Sequence, residues 1–103
     1  MTSGKIPFDA MDWTQGGHPL ERKKRAADGA AGLLLFAPGF ADPNWCGGGH
    51  VGFVLEGRLG FELADGRKIV AAAGEGFALA PGPRHRAYNA GESAVRLFIV
   101  PRG

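Results

Sequence analysis

The sequence predicts an all-β domain, either a barrel or a sandwich. Three observations carry this expectation. Short apolar runs, such as Leu33-Leu34-Leu35-Phe36 and Phe77-Ala78-Leu79-Ala80, recur between turn signals spaced about 6 to 12 residues apart, which is the rhythm of strands joined by tight connections. Eighteen glycines and seven prolines are scattered without a repeat period, as turns between short strands require. No stretch carries a helical period of useful length.

The elements follow in order. Residues 1–17 read as an arm, interrupted by Pro7, Gly16 and Gly17 but carrying Phe8, Met11 and Trp13. Such apolar residues need cover, so the arm is expected to pack on its own domain or on a neighbouring subunit. Residues 18–103 form the single barrel domain. Within it, residues 20–27 give a short strand, Asp28-Gly29 a turn, and residues 32–37 a buried strand closed by Pro38-Gly39. Past a glycine-rich loop, strands are expected over residues 51–55 and 59–63. Asp65-Gly66 is a two-residue hairpin signal leading into residues 67–71. Residues 77–80, 85–88 and 95–100 complete the set.

Composition narrows the function classes. The 103 residues suit one compact domain. The apolar runs fall far short of the roughly 20 residues that span a bilayer, so no membrane partner is expected. Residues 1–5 lack the apolar core of a signal peptide, and a single cysteine excludes an internal disulfide framework. The expectation is a cytoplasmic protein. Net charge is +2, with the basic residues concentrated in Arg22-Lys23-Lys24-Arg25. No aromatic stacking pattern accompanies that run, so it reads as a solvated strand face, and no nucleic-acid partner is expected.

The most informative stretch is Gly74 to Asn89. An apolar strand ends in a Pro-Gly turn, and His85 then opens a second strand. Alternation sets His85, Ala87 and Asn89 on one face and Arg84, Arg86 and Tyr88 on the other. The spacing runs Gly74, five residues, Ala80, one residue, Gly82, two residues, His85, three residues, Asn89. This resembles the second signature motif of the cupin family, with Ala80 in place of the usual proline and Pro81 stiffening the turn instead. Upstream, Val54-Leu55-Glu56-Gly57 resembles the run that closes the first cupin motif. Counting back, the position of the family's metal-binding glutamate falls on His50, and its paired histidines fall on Asn44 and Cys46. The resemblance covers roughly residues 32–100. It implies a double-stranded β-helix, or jelly-roll, barrel and a homodimer. It does not carry over the usual set of three histidines and one glutamate.

A site is therefore read from the residues present. Counting by two from His50 puts Gly52, Val54 and Glu56 on its face, and Val51, Phe53 and Leu55 on the other. On the cupin alignment, His50 and His85 enter the barrel from adjacent strands and Cys46 joins them from the loop, across three glycines free to take positive φ. One thiolate and two neutral imidazoles suit zinc, with iron, nickel, cobalt or copper as other occupants. Asn44, Trp45 and Val54 complete the expected pocket. His18, in a proline-flanked loop, is assigned to the surface, and Asn89 to tying down a loop backbone. Two functions stay open: a small metal-dependent enzyme acting on a small polar metabolite, or a non-catalytic binding or sensing barrel with a structural metal or none. No Asp or Glu stands beside the three donors in sequence to act as a base.

Overall fold

The computed structural model describes residues 3–102; the first two residues of the expected arm and the last residue of the expected domain lie outside it. A short 3-10 turn, Phe8–Ala10, precedes nine strands: β1 (Thr14–Gln15), β2 (Glu21–Arg25), β3 (Gly32–Phe36), β4 (Gly49–Glu56), β5 (Arg58–Leu63), β6 (Lys68–Ala72), β7 (Gly76–Leu79), β8 (His85–Asn89) and β9 (Val95–Arg102). They form a six-stranded sheet in the order β1-β2-β3-β9-β4-β7 and a three-stranded sheet in the order β6-β5-β8. All pairings are antiparallel. This is a jelly-roll barrel of two antiparallel sheets.

Alternation along the strands decides what fills the space between the sheets. Leu34 and Phe36 on β3 stand opposite Leu97 and Val95 on β9, and Leu97 in turn opposes Val54 on β4. From the other sheet come Leu59 and Phe61, with Phe77 and Leu79 of β7 closing the side. Leu59, Leu97, Val54 and Val95 are fully buried, each contributing about 1.5–3 kcal/mol by leaving water. The apolar run of β4 is divided by the same rule: Val54 lies in the core, while Val51, Phe53 and Leu55 remain exposed on the outer face. At Asp65-Gly66 the expected hairpin forms. Gly66 takes φ of +94°, and Asp65 Oδ1 accepts the Arg67 N–H at 3.0 Å.

The arm packs on its own barrel. The Phe8 and Phe98 rings meet edge to face, their centroids 6.1 Å apart. Lys24 Nζ donates to the Phe8 carbonyl at 2.7 Å and sits 4.7 Å from the Trp13 ring centre. The end of the arm also adds β1, unexpected from sequence, because Thr14 and Gln15 pair with Lys23 and Arg22. The basic strand is thus flanked on both sides and is not itself the sheet edge.

Candidate functional site

The site begins with a backbone pairing. Cys46 and His85 form an isolated antiparallel bridge in which the Cys46 N–H donates to His85 O at 2.8 Å and the His85 N–H to Cys46 O at 2.9 Å. Directly opposed residues in such a pair project on the same side. The loop that carries Cys46 is pressed onto the Pro81-Gly82 turn, where the Gly82 N–H donates to Gly47 O at 2.9 Å. Contrary to expectation, none of Gly47, Gly48 and Gly49 takes positive φ. Their use is close approach: a methyl on Gly49 would lie 2.5 Å from Arg102 O and 3.0 Å from Pro81 N.

His50 arrives from the opposite side. It belongs to β4 in the six-stranded sheet, whereas His85 begins β8 in the three-stranded sheet, so the two do not come from adjacent strands. Strand parity set their faces, but the long-range pairing of β4 with β7 and β9, and of β8 with β5, makes them face across the barrel interior. Their ring centroids are 5.8 Å apart and nearly perpendicular. His85, almost wholly buried, also meets the Phe61 ring edge to face at 6.0 Å. Cys46, His50 and His85 line one cavity of about 160 Å³, floored by Leu34, Phe36, Phe61, Leu97 and Ile99. That volume lies below the roughly 300–1,000 Å³ of drug-sized sites, so it suits a molecule of a few heavy atoms.

Electrostatics keep both imidazoles neutral. Burial lowers the His50 pKa from its ordinary value, the Arg25 guanidinium lowers it further, and the Gly48 backbone partly opposes both. Burial also lowers the His85 pKa, with the charge of His50 as the second cause and the Pro83 backbone in opposition. Each ring therefore offers a lone pair that can accept a hydrogen bond, take a proton near neutrality or bind a cation.

The fit to a metal ion rests on the donors present. Two imidazoles sharing a tetrahedral zinc have centroids about 5 Å apart, given Zn–N distances of about 2.0–2.1 Å, and the observed separation is near this. The third donor lines the same cavity but is held at its own loop: Cys46 is exposed, and its Sγ accepts the Gly48 N–H at 3.4 Å. Among the described residues, no three Cys, His, Asp or Glu side chains converge closely enough to hold an ion. The pair fits; the trio, as it stands, does not.

The other expected pocket residues fall outside the cavity lining. Val54 is fully buried in the core. The Asn44 N–H is capped by Asp42 Oδ1 at 2.9 Å, and the Trp45 ring stacks under the Arg86 guanidinium at 4.2 Å. His18 packs on Phe40, with centroids 4.9 Å apart, and its Nδ1 accepts the Leu20 N–H. Asn89 ties down its loop as expected, donating to Phe36 O and Ser93 O and accepting the Gly91 N–H.

Three residues of the site escaped the sequence reading. Glu21 and Asp42 line the cavity, and Arg25 borders an adjoining hollow of about 190 Å³ together with His50. Glu21 and Arg25 carried one available signal, since alternation places them with Lys23 on the inward face of β2, opposite Phe36, Leu34 and Gly32. The basic run is therefore not one solvated face. A larger open groove of about 570 Å³ lies on the outside of the three-stranded sheet around Glu62, Lys68, Arg86 and Tyr88, and it holds none of the site histidines.

A family model of the cupin domain matches residues 33–101, which spans both motifs and every residue of the cavity except Glu21. The chain belongs to the cupin family. Solved structures agree on the fold. The polyketide cyclase RemF from Streptomyces resistomycificus is 19% identical, with a TM-score of 0.76 over 97% of this chain and 80% of that one. KdgF from Halomonas sp. is 24% identical, with a TM-score of 0.67 over 98% and 96%. Drosophila melanogaster CENP-C bound to CAL1 is 13% identical, with a TM-score of 0.73 over 91% and 83%. At these identities the likeness is one of fold, shared by proteins of different function. No curated protein matches the chain in sequence. No helix among the described residues is long and apolar enough to cross a membrane.

Proposed function

We propose that this cupin binds a small polar metabolite in the cavity between its sheets, with His50 and His85 as the groups that meet it. The carrying observation is the confrontation of two imidazoles, 5.8 Å apart, across an apolar cavity of about 160 Å³. Two neutral imidazoles, one accepting from a ligand hydroxyl and the other donating to it, hold it more firmly in a low-dielectric space than they would in water. The test is an NMR titration with lactate, lactamide and glycerol. The Cε1–H resonances of His50 and His85 move first, and His85→Ala weakens binding at least tenfold. Shifts confined to the outer groove around Glu62, Lys68, Arg86 and Tyr88 would reject the cavity as the site.

A second reading retains a divalent cation, with zinc foremost. Its support is the near-tetrahedral spacing of the two imidazoles and the N–H···S contact at Cys46, of the kind that orients a thiolate ligand. When bound, the ion would supply Lewis acidity; His50 and His85 would hold it, and Cys46 would complete the set by turning from Gly48 into the cavity. The neighbours include a cyclase and a protein in a protein complex, so a catalytic and a binding role both lie within the fold's range. The homodimer that the resemblance implies has a matching surface here: the exposed Val51, Phe53 and Leu55 on the outer face of β4.

A further inference from the structure

The two hollows that share His50 differ in their charged groups: Arg25 borders one, while Glu21, Asp42 and an Arg86 already paired with Glu62 line the other. One is lined by Arg25, Gly29, Leu34, His50, Ile99 and Pro101. The other shares Leu34, His50 and Ile99 with it and continues to Glu21, Asp42, His85 and Arg86. The path from Arg25 to His85 thus runs past His50. Arg25 reaches this path because of its position in the ladder. It pairs with Gly32, which pairs with Ile99, which pairs with Gly52 of β4. At Gly32 there is no side chain in the way: a methyl placed there would sit 3.9 Å from Arg25 Nη1. Arg25 itself is exposed, so its guanidinium stands at the open mouth of the inward side of the sheet.

Among the described residues, Arg25 is not matched by a carboxylate: the ion pairs are Arg67–Asp65, Arg86–Glu62 and Arg96–Glu56. Glu21 and Asp42 stand at the far end and are already engaged with backbone, Glu21 Oε1 accepting the Gly17 N–H at 3.1 Å and Asp42 Oδ1 the Asn44 N–H. An arginine presents a planar fork of donors that fits a carboxylate in two parallel hydrogen bonds. The apolar walls between the ends, Leu34, Leu97 and Ile99, strengthen any charge interaction they screen from water.

Resting on the reading of this cavity as a small-ligand site, we infer that Arg25 selects the ligand's charge: the cavity takes a short carboxylate that also carries a hydroxyl, the carboxylate on Arg25 and the hydroxyl on the His50–His85 pair. Arg25 acts as a specificity-determining residue. Its neighbours in the basic run do not share the role. Lys24 is held by Phe8 and Trp13 on the outer face, Arg22 bonds Gln15, and Lys23 borders neither hollow.

The experiment compares lactate with lactamide, which has the same shape without the charge, by NMR titration of the full chain. Wild type is expected to bind lactate at least tenfold more tightly than lactamide, with shifts at Gly32, His50 and Ile99. Arg25→Gln should bring the two ligands within twofold of each other by weakening lactate alone, and Arg25→Lys should restore part of the preference. Arg22→Gln and Lys23→Gln should behave as wild type. Cavity binding of both ligands without preference in wild type would overturn the role of Arg25 and leave the small-ligand reading standing. A lactate preference that survives Arg25→Gln would do the same. No shift at His50 or His85 with either ligand would overturn both.

Discussion

Cys46 and His85 exchange both of their backbone hydrogen bonds, at 2.8 and 2.9 Å, although 38 residues of chain separate them in number. This single bridge carries a thiol from a glycine loop to the side of a buried imidazole. It fixes where any third donor to the histidine pair must come from, and it defines the first prediction.

If the cavity takes a divalent ion, zinc titrated into the protein binds through His50 and His85 with Cys46 recruited from its Gly48 contact. Cys46→Ser weakens binding sharply, because a neutral hydroxyl is a poor ligand beside a thiolate. His85→Ala abolishes it. His18→Ala changes nothing at the site, since that ring is committed to Phe40 and Leu20. Calorimetry reads all four proteins, and equal, weak binding by wild type and His85→Ala would remove the metal from the reading.

Acid should destabilise the fold. His50 and His85 both have pKa values below 6.5 in the native state, so between those values and 6.5 the unfolded chain binds more protons than the native one. The stability that the neutral rings allow is complete above pH 6.5 and is lost as the pH falls through 6.5 toward the native values. Thermal melts at pH 7.5 and 5.5 should show a lower Tm at the acid value. The drop should shrink in the His50→Gln/His85→Gln double variant. Zinc affinity should fall at lower pH, as the native values themselves are passed, because protonated imidazoles do not ligate.

Core and glycine substitutions should separate cleanly from the site. A methyl at Gly52 would stand 2.6 Å from the Phe98 carbonyl oxygen and 2.7 Å from Phe77 Cε1, and the backbone of β9 cannot move aside without breaking its ladder. Gly52→Ala is expected to cost about 1–3 kcal/mol by overpacking. Leu59→Ala, which empties a fully buried position away from the cavity, should cost about 2–5 kcal/mol. Urea denaturation measures both.

The outer face of β4 offers a test of assembly. Phe53 and Val51 are exposed on a strand whose inward-facing Val54 is fully buried, and in a homodimer they would be covered. Phe53→Glu places a charge in that surface. Sedimentation equilibrium should show a dimer for wild type and a monomer for the variant, with the fold unchanged by circular dichroism. A wild-type monomer at high concentration would remove this assembly from the reading.

Much of this protein is local, and the sequence by itself determined it. The Asp65-Gly66 hairpin, the strand that opens at His85, the burial of Phe36 and the inward turn of Val54 all follow from turn chemistry and from the two-residue period of an extended chain, whereas Leu34 and Leu35 of the expected buried run are only half-buried. The motif spacing from Gly74 to Asn89 carried the family as well. Only the tertiary structure decided that His50 and His85 face each other from different sheets, since parity specifies a face and not the strand across from it. It also decided that Arg25 borders the cavity while Lys24 clamps the arm, and that Glu21 and Asp42 close the far end. Residues distant in sequence meet there through pairings such as β2 with β3, β3 with β9 and β9 with β4. The covalent geometry of one strand fixes its own alternation, but the site is a product of several strands at once, and their order is set by the burial of the whole core.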